Sequence, residues 1–82
     1  MNIYPLSELV EEEYWGAGAA LVSTVDGVVV ALVYLNSVIP EWDGPPSIEV
    51  LDDKRLAPKV RELQALGRVH LGMLSGREFV EL

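Results

Sequence analysis

Two residues, Asp26-Gly27, separate the β-rich runs Ala19–Val25 and Val28–Leu35. An Asp-Gly link is the preferred chemistry of a type I′ hairpin turn, because both central residues take positive φ and the turn's twist matches that of the strands it joins. No other feature constrains the fold of this chain as tightly. The turn sets a register that places Val25 opposite Val28, Thr24 opposite Val29, Ser23 opposite Val30 and Val22 opposite Ala31. Leu21 then meets Leu32, Ala20 meets Val33 and Ala19 meets Tyr34. Both faces of that pair are largely apolar, whereas a hairpin with one wet face alternates apolar with polar. Each face therefore needs a cover, a helix or another subunit.

Around the hairpin the chain reads as α-β-β-β-α-β-β. Pro5 to Trp15 is predicted as a short helix capped by Ser7, with Leu6, Leu9, Val10 and Tyr14 as its apolar side and Gly16-Ala17-Gly18 as its end. Tyr14 and Trp15 are expected to close that helix against the hairpin. Pro40, Gly44, Pro45 and Pro46 break the stretch from Asn36 to Ser47, and Ser47–Leu51 reads as a short strand with Ile48 and Val50 on one side. A second helix begins near Ala57 with Pro58 in its first turn, where a missing N–H is tolerated, and stops at Gly67. Leu56, Val60, Leu63 and Leu66 lie near one face of it.

Arg68–Leu74 and Arg77–Leu82 form a second hairpin turning at Ser75-Gly76. Its register sets Leu71 opposite Val80, Gly72 opposite Phe79, Val69 opposite Leu82 and His70 opposite Glu81. The expected fold is α+β, an antiparallel sheet of four or five strands with two short helices, in a single domain over residues 1–82.

Charge is distributed as unevenly as hydrophobicity. The first fifty-three residues hold ten carboxylates and no lysine or arginine, while all six basic residues fall between Lys54 and Arg77. An acidic field of this kind attracts a basic partner and repels nucleic-acid phosphate, so direct nucleic-acid binding is not expected. There is no cysteine, so no disulfide or thiolate metal site reinforces the chain, and a reducing cytoplasm suits it. No secretory signal pattern is visible at Met1–Pro5. Asp26 interrupts the one apolar stretch long enough for a membrane span, Gly16 to Ile39, at a cost of about 2.5–3.5 kcal/mol, so a membrane span is not expected.

Candidate chemistry is sparse. His70, the only histidine, pairs with Glu81 either as a general base or proton-sensitive switch, or as a plain exposed cross-strand pair. No serine or second acid can be placed beside it from sequence to complete a catalytic set. Asp52 with Asp53, or Glu41 with Asp43, are the densest carboxylates, but they lack the regular oxygen spacing of a calcium loop, and no metal or cofactor is expected. Lys54, Arg55, Lys59 and Arg61 either grip an anion or pair with the acidic half of the same molecule.

Trp42 stands between Glu41 and Asp43 in the proline-broken stretch, where no periodicity asks for a core residue. Tryptophan is enriched at binding hot spots; in a thin core it also serves as a plug folded back onto the sheet. The expected function is that of a non-enzymatic accessory or inhibitor-type domain. It would bind a basic protein surface through Glu11, Glu12, Glu13, Glu41, Trp42 and Asp43. A chain of 82 residues buries only a little over roughly 60% of its unfolded surface, which favours a homodimer; a purely structural oligomer is the alternative, and a small hydrolase or isomerase built on His70 and Glu81 a further one.

Overall fold

The structure, a computed structural model, describes residues 2–9 and 18–82 of the chain. It is α+β. Five strands form one antiparallel, curled sheet: β1 (Ile3–Pro5), β2 (Gly18–Val25), β3 (Val28–Tyr34), β4 (Arg68–Ser75) and β5 (Glu78–Glu81), in the order β1-β5-β4-β2-β3. Between β3 and β4 the chain makes three helices, α1 (Leu35–Val38), α2 (Ile48–Leu51) and α3 (Ala57–Leu66). Among the described residues no helix is long and apolar enough to cross a membrane.

The central hairpin turns where expected. Asp26 and Gly27 both take positive φ, 54° and 80°, and Val25–Val28 and Thr24–Val29 pair as the turn dictates. Beyond Thr24 the register departs from the sequence reading. A bulge skips Val30, so Ser23 meets Ala31, Val22 meets Leu32, Leu21 meets Val33 and Ala20 meets Tyr34. Since side chains alternate along a strand, one extra residue swaps the faces of everything after it. The larger Leu32 and Tyr34 thereby enter the inside of the curl, and the smaller Ala31 and Val33 lie under the helices. Bulges also bend and twist the strand that carries them, which suits a sheet whose two edge strands, β1 and β3, come into contact.

Both faces are covered by the chain itself. On the helical side Leu21 packs with Leu35, Ile39, Val50, Leu56 and Leu63. On the inner side Ala20, Val22, Val29, Leu74 and Phe79 pack with Leu6. The buried Ser23 hydroxyl donates to the Leu63 carbonyl at 3.0 Å, tying β2 to α3. Gly67 follows α3 because a side chain there would run into the Thr24 carbonyl. The helix itself is the one the sequence announces, with Pro58 in its first turn and the Gly67 N–H closing onto the Leu63 carbonyl.

Three expectations are corrected. Ile3–Pro5 is an edge strand on β5, and Ser7–Leu9 is a single 3-10 turn, so no helix begins at Pro5; Val10 to Trp15 lie outside the described residues. Ser47–Leu51 is helical: the Ser47 hydroxyl caps α2 by accepting from the Val50 N–H at 3.3 Å, and Glu49 favours the first turn. The second hairpin turns on Gly76-Arg77 rather than Ser75-Gly76. Gly76 alone has positive φ, as a type II′ turn requires at its first central position, and Ser75 faces Glu78. The register therefore slides by two residues, pairing Leu74 with Phe79, Met73 with Val80 and Gly72 with Glu81. A slide of two preserves the faces, and the Phe79 ring still fills the space beside Gly72.

Candidate functional site

Two constellations concentrate the polar chemistry of this fold. The first is a cleft of about 490 Å³ between the α1–α2 connection and the start of α3. Ile39, Trp42, Pro45 and Val50 give it apolar walls. The short helix α1 delivers Ile39 to the core, and the Trp42 N–H then donates to the Ile39 carbonyl at 2.9 Å, turning the indole inward. Trp42 ends half-buried, packed against the core that contains Leu35 and Ile39 while still lining the cleft. It is thus both a partial core plug and a surface wall. Gly44 lies 3.8 Å from the indole edge measured from where its side chain would start.

The rim of the cleft is acidic. Glu49 and Asp53 line it, and Glu41, Asp43 and Asp52 stand in the adjoining turns. Arg55 answers part of this charge. Its guanidinium grips Asp53 through Nε and Nη2, both at 3.1 Å, and meets Glu41 through Nη1. The pairing of the basic cluster with the acidic half is therefore realised by Arg55; Lys59 pairs instead with Glu62 on its own helix. Asp43, Glu49 and Asp52 make no ion pair among the described residues. Beside them Ile48 is 77% exposed on α2. The expected contact residues Glu41, Trp42 and Asp43 thus come together on one surface, whereas Glu11, Glu12 and Glu13 lie outside the described residues.

The second constellation is a buried relay across the sheet interior. His70 is 4% exposed, so the exposed cross-strand pair read from sequence is corrected to a buried one. Its Nδ1 lies 2.6 Å from Glu81 Oε1, diagonally across β4 and β5, and its Nε2 lies 2.8 Å from the Thr24 hydroxyl on β2. An ionised carboxylate only accepts, so Nδ1–H donates to Glu81 and, with the ring neutral, the Thr24 O–H donates to Nε2. Glu81 Oε2 accepts from Asn2 at 3.0 Å and from Tyr4 at 3.2 Å, and the Tyr4 ring packs 4.8 Å from the imidazole. The His70 hydrogen bond holds the Glu81 carboxyl below its usual range, partly opposed by burial and aided by Asn2 and Tyr4.

A hydroxyl does stand beside the imidazole, which sequence reasoning missed. The pairing of β2 with β4 that brings Thr24 to His70 is long-range and leaves no local signal. The order hydroxyl, imidazole, carboxylate matches a nucleophilic triad in kind. Thr24 is nevertheless 6% exposed, and neither cleft described for the fold is lined by Thr24 or His70. A hollow lined by Asn2, Met73, Val80, Glu81 and Leu82 meets the network at its outer end, at Asn2 and Glu81. Chemically the arrangement ties four strands together through satisfied buried polar groups. Among the described residues no group of three or more potential ligands could hold a metal ion.

The chain matches no protein-family model, and no curated protein is detectably similar to it.

Proposed function

We propose that this chain is a non-enzymatic protein-binding domain, of accessory or inhibitor type, that holds a basic surface of another protein against the acid-rimmed cleft around Trp42. The observation that carries the reading is the coincidence on one surface of apolar walls, a half-buried indole and carboxylates that make no ion pair among the described residues. Such a surface combines a desolvated anchor, which governs dissociation, with rim charge, which governs association. The sealing of Thr24 and His70 supports a binding role over a catalytic one. In this reading the domain acts in the cytoplasm, where a cysteine-free chain is at home.

The test begins with capture of the partner from native lysate and continues with its binding kinetics. Asp43→Asn with Glu49→Gln is expected to slow association by about tenfold at low salt and to flatten its salt dependence. Glu41 is left alone because it holds Arg55. Trp42→Ala is expected to speed dissociation by about thirtyfold while the circular dichroism stays that of a folded domain. A partner that binds both variants as it binds the wild type overturns the proposal.

A second reading, self-association, rests on a different patch. Val25, Val28, Val30 and Leu66 are exposed, with Val28 at 64%, around the end of the β2–β3 hairpin. The two apolar sheet faces no longer call for a second copy, since the chain covers both. In this second reading a homodimer forms through this smaller patch, and light scattering reporting one chain mass at micromolar concentration would exclude it.

A further inference from the structure

The cleft already contains a model of its own ligand. Arg55 comes from the turn between α2 and α3, Asp53 from the same turn, and Glu41 from the separate connection after α1. The guanidinium therefore bridges the two banks of the cleft. Its contact with Asp53 is two-pronged, Nε to Oδ1 and Nη2 to Oδ2, while the Arg55 N–H also donates to Oδ1 at 2.8 Å. The three side chains stay in reach of water, with Arg55 49%, Glu41 65% and Asp53 27% exposed. Exposed ion pairs of this kind favour the closed arrangement by at most roughly fivefold in an equilibrium constant. The bridge is thus easily exchanged.

Building on the proposed binding role of the cleft, we infer that its partner presents an arginine and that Arg55 is the internal competitor for that position. The partner's guanidinium replaces Arg55 between Glu41 and Asp53, with its flat face toward the indole of Trp42 and its stem along Ile39 and Val50. Complementarity of charge selects a basic segment, because the cleft and its rim carry Glu41, Asp43, Glu49, Asp52 and Asp53 against Lys54 and Arg55. Shape selects arginine over lysine. A planar fork matches a carboxylate with two parallel N–H bonds and stacks on an aromatic face, and an ammonium does neither. Displacement frees Arg55 to turn outward toward carboxylates of the partner.

The experiment titrates fluorescein-labelled nona-arginine and nona-lysine into wild type, Arg55→Gln, Arg55→Lys and Arg61→Gln at about 150 mM salt, reading anisotropy. Arg61→Gln removes the same charge at an exposed position of α3 away from the cleft lining. Wild type is expected to prefer nona-arginine, and Arg55→Gln to tighten nona-arginine by about fivefold with little change for nona-lysine. Arg61→Gln should change either affinity by less than about twofold. Arg55→Lys should fall between wild type and Arg55→Gln, and it serves if Arg55→Gln fails to fold. If Arg61→Gln tightens binding as much as Arg55→Gln, or both peptides gain equally, the inference is wrong while the binding role of the cleft stands. If neither peptide binds any of these proteins, the proposed role of the cleft fails first.

Discussion

Replacing Glu81 with alanine is expected to destabilise the fold by about 2–3 kcal/mol. The figure follows from what the carboxylate leaves behind. His70 Nδ1–H, inside a residue that is 4% exposed, loses its acceptor; a buried donor so orphaned costs about 1–3 kcal/mol. Tyr4 loses a further bond of about 0.5–1 kcal/mol, while Asn2, which is exposed, turns to water. The Glu81 side chain is itself 21% exposed, so water enters part of the space and keeps the total near the lower half of the range. For a domain of this size about 2–3 kcal/mol lowers the melting temperature by roughly 10–20 °C.

The assay is urea denaturation with a thermal scan, repeated from neutral to acid pH. Because the folded pKa of Glu81 lies below the unfolded value, its contribution is complete above the ordinary glutamate value of about 4.3 and fades as pH falls through the lower folded value. Glu81→Gln should lack that acid limb. A Thr24→Val and Glu81→Gln double-mutant cycle should show coupling of about 0.5–1 kcal/mol, since the two groups meet only through His70. An Ala variant within about 0.5 kcal/mol of wild type, or a cycle additive within about 0.3 kcal/mol, would refute the relay.

Gly27→Val should cost about 1–2 kcal/mol or more by strain alone, since φ is 80° and the space around it is open; an unchanged urea midpoint would contradict the turn. Gly67→Ala should cost about 1–3 kcal/mol for the opposite reason, a collision with the Thr24 backbone at ordinary φ, read as a lower midpoint with the same slope. Trp42→Ala should lose about 1–2 kcal/mol, less than a fully buried tryptophan, and remain cooperative in thermal unfolding.

What could be read from sequence was local. Asp26-Gly27 demands positive φ at two adjacent residues, and nothing distant alters that. Pro58 and Gly67 bracket α3 for equally local reasons. The skipped Val30 was hidden because it depends on which of Leu32, Tyr34, Ala31 and Val33 fits inside the curl. Ser47–Leu51 is too short to separate a period of two from one of three and a half; the capping serine was the signal that favoured helix. The Gly76-Arg77 turn was accessible through the type II′ preference for glycine at the first central position. His70 and Glu81 came out as neighbours despite the wrong register, because a slide of two keeps both on one face. Thr24 completed the relay only once β2 lay beside β4. At the cleft, Glu41, Trp42 and Asp43 are consecutive and so fell together, but Glu49, Asp53 and Arg55 join them only through the packing of α1 and α2 on the core.

The central claim, that the acid-rimmed cleft is where this chain meets a basic partner, is tested most directly by amide chemical-shift mapping during titration of unlabelled nona-arginine. The account predicts perturbations concentrated between Ile39 and Leu56, with the Trp42 indole N–H moving and the Arg55 Nε resonance shifting as its bridge opens. Perturbations spread over all the exposed carboxylates, or centred on the Val25–Val30 hairpin end, would contradict it.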